Sequence, residues 1–263
     1  MTINLLHGFF LTLFAGLATA FGSIIAFFFG SRGNKFLSFG MGLSAGVMVY
    51  ISLTEIIPHS NKLSGEIFTF IAFLLGIAIA AIIDRVIPYE QNPHEVRKKE
   101  DIKNLKFNLH SHKNKKLLRT GLFTAFAISL HNFPEGFATF AAASTDLKLG
   151  VTLAIAVAIH NIPEGISVSV PIYKATGNKK KAFIYSALSG LAEPAGAFLG
   201  FMILYPFLNE KLLGIIMAVV AGIMIYISFD ELLPTAREYG EGHIEVLGVI
   251  SGMALMAISL IFM

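Results

Sequence analysis

Cysteine is absent from the chain, which excludes disulfide bonds and every metal site built on thiolate ligands. Tryptophan is absent as well, so tyrosines such as Tyr50, Tyr173 and Tyr226 are the expected aromatic anchors at a membrane surface. Charge is scarce: only 14% of the 263 residues are Asp, Glu, Lys or Arg, 55% are hydrophobic, and the mean hydropathy is +0.70. Soluble domains carry about 25% charged residues, so the composition argues against a soluble protein.

Long apolar runs fill most of the chain. Runs without any Asp, Glu, Lys or Arg, or with a single one, cover 3–31, 36–54, 67–83, 120–145, 149–173, 182–209, 212–229 and 246–263. Most are long enough to cross roughly 30 Å of hydrocarbon as a helix. The first is too long, and lacks the preceding basic residues, for a signal peptide. Strands of a membrane barrel would be shorter and would alternate. We therefore predict an all-α integral membrane protein with eight transmembrane helices.

Positive charge is distributed unevenly between the two sides of the predicted bundle. If the N-terminus lies outside the cytoplasm, the inner segments hold 17 of the 20 Lys and Arg residues, and the outer segments hold only Lys62, Lys148 and Lys211. The positive-inside rule therefore predicts that both termini lie outside the cytoplasm. We expect a multi-pass protein of the cell's inner (plasma) membrane. The pI near 9.0 follows from this asymmetry, so nucleic acid is not an expected partner.

The chain contains an internal repeat. The segment AGVMVYISLTEIIP (45–58) matches AGIMIYISFDELLP (221–234) at eight of fourteen positions, and GLATAFGSIIAF (16–27) resembles GLAEPAGAFLGF (190–201) more weakly. These pairs relate the second helix to the seventh and the first to the sixth, and the members of each pair cross the membrane in opposite directions. We predict a 3+2+3 inverted-repeat arrangement, a common plan of secondary transporters.

The predicted arrangement divides one transmembrane domain, 1–263, into four parts. The first three helices occupy residues 1–87, and a cytoplasmic loop occupies residues 88–118. The fourth and fifth helices, which carry the motifs described below, occupy residues 119–173, and the last three helices occupy residues 181–263. The loop is charged, lacks apolar periodicity and contains His94, His110 and His112. It is interpreted as a mobile linker whose histidines either bind metal transiently or are merely solvated.

Three glutamates lie inside apolar runs. Glu135, Glu164 and Glu193 are each the only charged residue of their run, and 29 residues separate each from the next. Antiparallel helices joined by turns halfway between them bring the three carboxylates to a similar depth, near the bilayer centre. An ionised carboxylate there is unfavourable by about 2.5–3.5 kcal/mol even on insertion scales, and no Lys or Arg lies at that depth. Protonation or a bound cation would resolve this.

Histidines and asparagines accompany two of these glutamates in the motifs HNFPEG (131–136) and HNIPEG (160–165). His131 and Glu135, like His160 and Glu164, are four residues apart and share a helix face. Asn132 and Asn161 lie about 100° round each helix. One side of the pair can present the histidines and glutamates, and the adjoining side the asparagines, the same glutamates and Glu193, so that bridging carboxylates serve two ions.

The remaining motif residues fit such a site. Pro134 and Pro163 free backbone carbonyls inside their helices, and Gly136 and Gly165 permit close approach of a neighbouring helix. A lone intramembrane histidine or glutamate is often a structural hydrogen-bonding residue, but two identical clusters with a third glutamate favour metal binding. Nitrogen and oxygen donors without sulfur suit Zn(II), Fe(II), Mn(II) and Co(II) rather than Cu(I).

These motifs resemble those of the ZIP (Zrt/Irt-like) family of metal transporters, most closely its bacterial ZupT-type branch. The resemblance covers the whole chain: eight helices, a histidine-bearing loop after the third, HNFPEG, HNIPEG and GLAEPAG (190–196). It implies uptake of divalent metal into the cytoplasm through a binuclear centre, with the metals as cargo and no resident cofactor. It further implies a zinc-like site and a second site often assigned to iron. The first would comprise His131, Glu135, His160 and Glu164, and the second Asn132, Glu135, Asn161, Glu164 and Glu193.

Other assignments remain open. Glu55, Asp230 and Glu231, with His59 and His243, are either relay ligands at the ends of the pathway or ordinary interfacial residues. The alternative function is an intramembrane metal-dependent hydrolase, which needs an open metal position and a separate base, and the chain has no HExxH. A channel or sensor is a third class, although a tight site would hinder ion release from a channel. The expected partners are divalent ions and the lipid bilayer, with a homodimer as one candidate assembly.

Overall fold

A computed structural model of the chain describes residues 2–29, 34–86, 111–204, 207, 209–240 and 243–262. Within these ranges the longer regular elements are all helices. In chain order they are α1 (Thr2–Phe29), α2 (Asn34–Ile51), α3 (Ile57–Ser64), α4 (Glu66–Val86), α5 (Ser111–Thr145), α6 (Leu147–Thr176), α7 (Lys179–Gly190), α8 (Ala192–Leu204), α9 (Glu210–Ile227), α10 (Leu233–Tyr239) and α11 (Ile244–Phe262).

Seven stretches of these helices are long and apolar enough to cross a membrane. They are Leu5–Phe28, Lys35–Ser64, Glu66–Arg85, Leu147–Thr176, Lys179–Ile203, Glu210–Tyr239 and Ile244–Phe262. The remaining predicted span, the fourth, lies in α5, which is 35 residues long. The prediction of an all-α protein with long apolar helices compatible with a membrane is therefore confirmed, and the structure has seven or eight such helices where eight were predicted.

Turn chemistry sets several helix ends. Asp146 caps α6 by accepting hydrogen bonds from the backbone N–H groups of Lys148 and Leu149, which leaves a single residue between α5 and α6. Gly177, with φ of +66°, ends α6 in the left-handed conformation that glycine adopts most readily. Asn178 then caps α7 through the N–H of Lys181. The interval 174–180 left between the fifth and sixth predicted helices is thus reduced in the structure to Gly177 and Asn178.

The predicted boundary of the polar insert is wrong at its C-terminal end. Helix α5 begins at Ser111, within the segment 88–118 that was predicted to be a loop. The residues concerned, SHKNKKLL, include several lysines and leucines, which have high intrinsic helix propensity and extend the helix beyond its apolar part. His112 lies in this extension, whereas His94 and His110 lie outside the described residues.

The helices pack in two groups. One group comprises α1, α5, α6, α7 and α8, and the other comprises α2, α3, α4, α9, α10 and α11, with α2 also lying against α6. Glycines sit where helices of the second group cross. A Cβ atom on Gly46 of α2 would overlap the carbonyl oxygen of Val249 in α11, and one on Gly222 of α9 would overlap that of Phe73 in α4. Such small residues let membrane helices approach to backbone contact.

Two π-helical turns interrupt the second and seventh spans. They cover Ser52–Ile56 and Ser228–Leu232, and each begins at the serine of the matched sequences ISLTEIIP and ISFDELLP. Each is followed by a proline, Pro58 or Pro234, in the first turn of the next helix, where the missing N–H causes no loss. The local backbone therefore reproduces the sequence match in detail.

Gly46→Ala should destabilise the fold, because its methyl group would force α2 and α11 apart; overpacking of this kind typically lowers stability by about 1–3 kcal/mol. Gly40→Ala on the same helix is the matched control, since its Cβ would lie 3.9 Å from Pro163 in ordinary contact. The midpoint of thermal unfolding of each purified variant, in the same detergent, should fall by several degrees for Gly46→Ala only. Equal midpoints for the two variants would contradict this packing.

Candidate metal centre

The seven predicted ligands lie on three helices of the first group, and all are buried. Each has at most 5% of its surface exposed: His131, Asn132 and Glu135 on α5, His160, Asn161 and Glu164 on α6, and Glu193 on α8. Pro134 and Pro163 lie within helices that continue through them. The polar residues of both HNxPEG motifs therefore point into the protein rather than toward lipid.

The histidines and two of the glutamates form a compact cluster. Nε2 of His160 lies 3.1 Å from Oε1 of Glu135, and Nε2 of His131 lies 3.6 Å from a carboxylate oxygen of both Glu135 and Glu164. The two imidazole rings are 6.3 Å apart between centroids. The contacts therefore run between the two motifs, and in the first motif also between His131 and Glu135 one helical turn apart.

Asn161 connects this cluster to α8. Its amide nitrogen donates hydrogen bonds to a carboxylate oxygen of Glu193 and to the backbone carbonyl of Ala15, the latter at 2.9 Å. The amide nitrogen of Asn132 donates to the backbone carbonyl of Ser189 at 3.2 Å. The structure thus joins Glu193 to the α6 motif directly, while Asn132 is held against the helix preceding α8.

Most polar atoms of the cluster have no hydrogen-bond partner within the described part of the protein. The unpartnered atoms are both ring nitrogens of His131 and His160, the amide oxygens of Asn132 and Asn161, both carboxylate oxygens of Glu135, and one each of Glu164 and Glu193. The short His–Glu approaches therefore bring these atoms together without hydrogen-bond geometry. Buried polar atoms are normally satisfied, so this concentration of electron-pair donors is the arrangement that a cation would complete.

Three of these side chains offer donors at metal-binding proximity. One ligand atom each from His131, His160 and Glu164 lies within 4.8 Å of the other two. Tetrahedral zinc with ligand distances near 2.1 Å holds its donors roughly 3.4 Å apart. Shifts of about an ångström within side-chain rotamers would close the site around one ion.

Glycine permits the close helix contacts behind the cluster. A Cβ on Gly136 would overlap the carbonyl oxygen of Glu193, and a Cβ on Gly165 would overlap that of Thr19. The expectation that these motif glycines allow a neighbouring helix to approach is confirmed. The last residue of each motif thus fixes the distance from its helix to α8 or α1.

Several groups that orient the cluster were not predicted from the sequence. The carbonyls of Ala15 and Ser189 hold the two asparagines, and the hydroxyl of Ser44 on α2 donates to the carbonyl of His160 at 3.3 Å. A backbone carbonyl can belong to any residue type, so its role cannot be read from the residue itself. The repeat gives one signal for these two positions, since Ala15 and Ser189 each immediately precede the matched GLA segments that begin at 16 and 190.

The candidate relay residues lie at the π-helical turns. Glu55 belongs to the first turn, and Asp230 and Glu231 belong to the second. His59 follows on α3, and His243 is exposed just before α11. Their role along a metal pathway remains a prediction.

Comparison with known proteins gives a consistent result. The family model described as ZIP Zinc transporter matches residues 88–260. The chain is 56% identical to the zinc transporter ZupT of Oceanobacillus iheyensis, over 99% of both chains. It is 51% identical to ZupT of Clostridium perfringens, over 98% of this chain and 96% of that one. It is 53% identical to ZupT of Campylobacter jejuni, over 95% of this chain and 94% of that one.

Glu164→Gln should weaken Zn(II) binding by the purified full-length chain, because the amide keeps the shape and removes the negative charge. Loss of even an outer-shell partner lowers metal affinity about 10–100-fold, so at least a tenfold rise in the dissociation constant is expected. Glu245→Gln is the control, since Glu245 is also buried but lies 3.7 Å from Arg237, away from the cluster. Titration with Zn(II) and a competing chelator measures both, and equal affinities would exclude Glu164 as a ligand.

Proposed function

The chain belongs to the ZIP family and is a divalent-metal transporter rather than an enzyme, and we propose that it takes up Zn(II), together with Fe(II), Mn(II) or Co(II), through a binuclear centre between α5, α6 and α8. The family relationship covers nearly the full chain of each of the relatives described above. The metals are cargo rather than a cofactor. A homodimer stays a prediction, and the proposal concerns the pathway within one chain.

The observation that carries this proposal is the set of unpartnered donor atoms on seven buried residues. Imidazole nitrogens and carboxylate oxygens suit borderline divalent ions, while amide and carboxylate oxygens suit harder ones. A transported ion exchanges its water shell for these donors on entry. Two overlapping sets of ligands would then allow the ion to pass from one set to the next without entering the hydrocarbon of the bilayer.

Two overlapping sites account for the positions of the donors. His131, His160, Glu135 and Glu164 would form the first, in which imidazole nitrogen favours zinc. Asn132, Asn161, Glu193, Glu135 and Glu164 would form the second, with oxygen donors only. Glu135 and Glu164 would bridge the two ions. The direct approach of His131 to both glutamates, and the hydrogen bond between Asn161 and Glu193, support this division.

An inverted repeat of the 3+2+3 type accounts for the packing. Gly16 and Gly190, aligned in the repeat, face each other so that a Cβ on either would overlap the other's carbonyl oxygen. The hydrogen bonds from Asn161 to Ala15 and from Asn132 to Ser189 are equivalent under the same alignment. The two π-helical turns are equivalent as well. A pseudo-two-fold axis through the metal centre would relate all three pairs.

The orientation proposed for this bundle follows the charge asymmetry. Both termini would lie outside the cytoplasm, in the cell's inner membrane, with Lys174 and Lys179–Lys181 on the cytoplasmic side. Metal would then enter from the side of Lys62 and Lys148. Uptake in this direction is part of the proposal.

Variants that affect one site only should change metal selectivity. His160→Ala should reduce Zn(II) uptake most, because imidazole suits zinc better than manganese. Asn161→Ala and Glu193→Ala should spare part of Zn(II) uptake and reduce Fe(II) and Mn(II) uptake more. Each is measured in proteoliposomes at matched protein density with all three metals. Equal proportional losses of all metals in every variant would indicate one shared site.

Single cysteines should report the orientation, and the natural absence of cysteine means that no background needs removal. Lys62→Cys and Lys148→Cys should react with a membrane-impermeant maleimide in intact cells. Lys180→Cys should react only after the membrane is opened, although all three positions are exposed in the fold. The opposite labelling pattern would reverse the proposed direction without affecting the metal centre.

A further inference from the structure

An apolar groove runs along the outside of the bundle beside the metal centre. It lies between α1, α6 and the start of α7, has a volume of about 540 Å³, and is lined by apolar side chains that include Leu17, Phe21, Ile24, Ile162 and Phe183. This volume is within the range of about 300–1,000 Å³ typical of small-molecule sites. Leu17 and Phe21 are half exposed within a membrane-spanning helix, so the groove opens toward lipid.

A fixed positive charge marks one end of this groove. Nζ of Lys179 lies 5.7 Å from the ring centroid of Phe27 on α1 and 5.9 Å from that of Tyr173 on α6. These cation–π contacts hold the ammonium group between the two helices that form the groove walls. Phe183, four residues later on the same face of α7, lines the groove itself. The ammonium group therefore lies at the end of the apolar surface, beside the turn between two stretches long and apolar enough to span a membrane, Leu147–Thr176 and Lys179–Ile203.

The described residues around Lys179 favour an anion. Lys180 and Lys181 follow it in the first turn of α7, whose N-terminus adds partial positive charge. Residues 1–54 and 165–192, which include all of α1, the last part of α6 and all of α7, contain no Asp or Glu. Charge at this end of the groove is thus complementary to a phosphate, while the groove accepts only hydrocarbon.

We propose that this groove binds an anionic phospholipid, with an acyl chain along α1 and α6 and the phosphate at Lys179–Lys181. In the orientation proposed above, the lipid belongs to the cytoplasmic leaflet, where basic pockets between helices bind anionic headgroups. The lipid would cover the α1–α6 interface across which Asn161 contacts Ala15. Membrane composition would then act on the packing of a helix that carries metal ligands. Binding of the lipid is separable from the proposed transport, because neither groove nor lysines contribute ligands.

Native mass spectrometry of the full-length protein, titrated with phosphatidylglycerol or phosphatidylcholine of identical acyl chains, tests this binding. The wild-type chain should bind phosphatidylglycerol at least fivefold more tightly, and Lys179→Gln should lower that affinity about fivefold, the factor for one charge near the surface. Lys211→Gln is the control, since Lys211 also sits over an aromatic ring, 3.7 Å from the Phe68 centroid, but away from the groove.

Filling the groove tests the acyl-chain part of the proposal. Ala18→Phe introduces bulk at a lining residue and should reduce binding of both lipids. Leu17→Trp, at a half-exposed lining position, serves the same purpose if Ala18→Phe does not fold. The proposal would be overturned if the wild-type protein bound the two lipids equally, or if Lys179→Gln left its affinity for phosphatidylglycerol unchanged. Unchanged phosphatidylglycerol binding by the folded groove-filling variants would also overturn it, by showing that surface lysines alone attract the lipid.

Discussion

The burial of three carboxylates inside a membrane bundle constrains the rest of this structure. Glu135, Glu164 and Glu193 are almost completely buried, and within the described residues none of them forms an ion pair with a lysine or arginine. An uncompensated buried charge is strongly unfavourable. Imidazole and amide groups approach the carboxylates but leave most donor atoms unpartnered. In the proposed function a divalent cation would supply the missing charge, so that the buried carboxylates that are costly by themselves would provide the affinity that a transporter needs.

The helices are packed to hold these side chains in place. Motif glycines bring α5 against α8 and α6 against α1, and each asparagine is then fixed by a carbonyl of the adjoining repeat element. Under the proposed repeat, Thr19 on α1 occupies the position that corresponds to Glu193 on α8. The scaffold would thus be nearly symmetric, but only α8 would contribute a carboxylate, that of Glu193, to the oxygen-only site. Such a difference lets a symmetric fold carry two chemically distinct sites.

The helices and the buried polar cluster could be predicted from the sequence because a membrane admits few kinds of backbone structure and few unpaired charges. Charge-free runs specify helices, and any charged residue within them needs a partner, so the glutamates and their histidines were identifiable from spacing alone. The start of α5 at Ser111 was not predicted because its first turns are polar, so the length of the apolar run does not include them. The carbonyls of Ala15 and Ser189 and the hydroxyl of Ser44 were missed because tertiary packing, not residue type, brings them to the motifs. The π-helical turns have no simple sequence rule, although the match of 45–58 to 221–234 implied that both would share one geometry.

In the proposed transport centre, two metal ions share Glu135 and Glu164. Crystals of the full-length protein grown with Cd(II), examined by anomalous scattering, measure this directly. Two peaks are expected between α5, α6 and α8, separated by about 3.5–4 Å as in other two-metal sites. One peak should lie beside the imidazoles of His131 and His160, and the other beside Asn161 and Glu193. A single peak, or peaks outside these three helices, would rule out a binuclear centre bridged by Glu135 and Glu164.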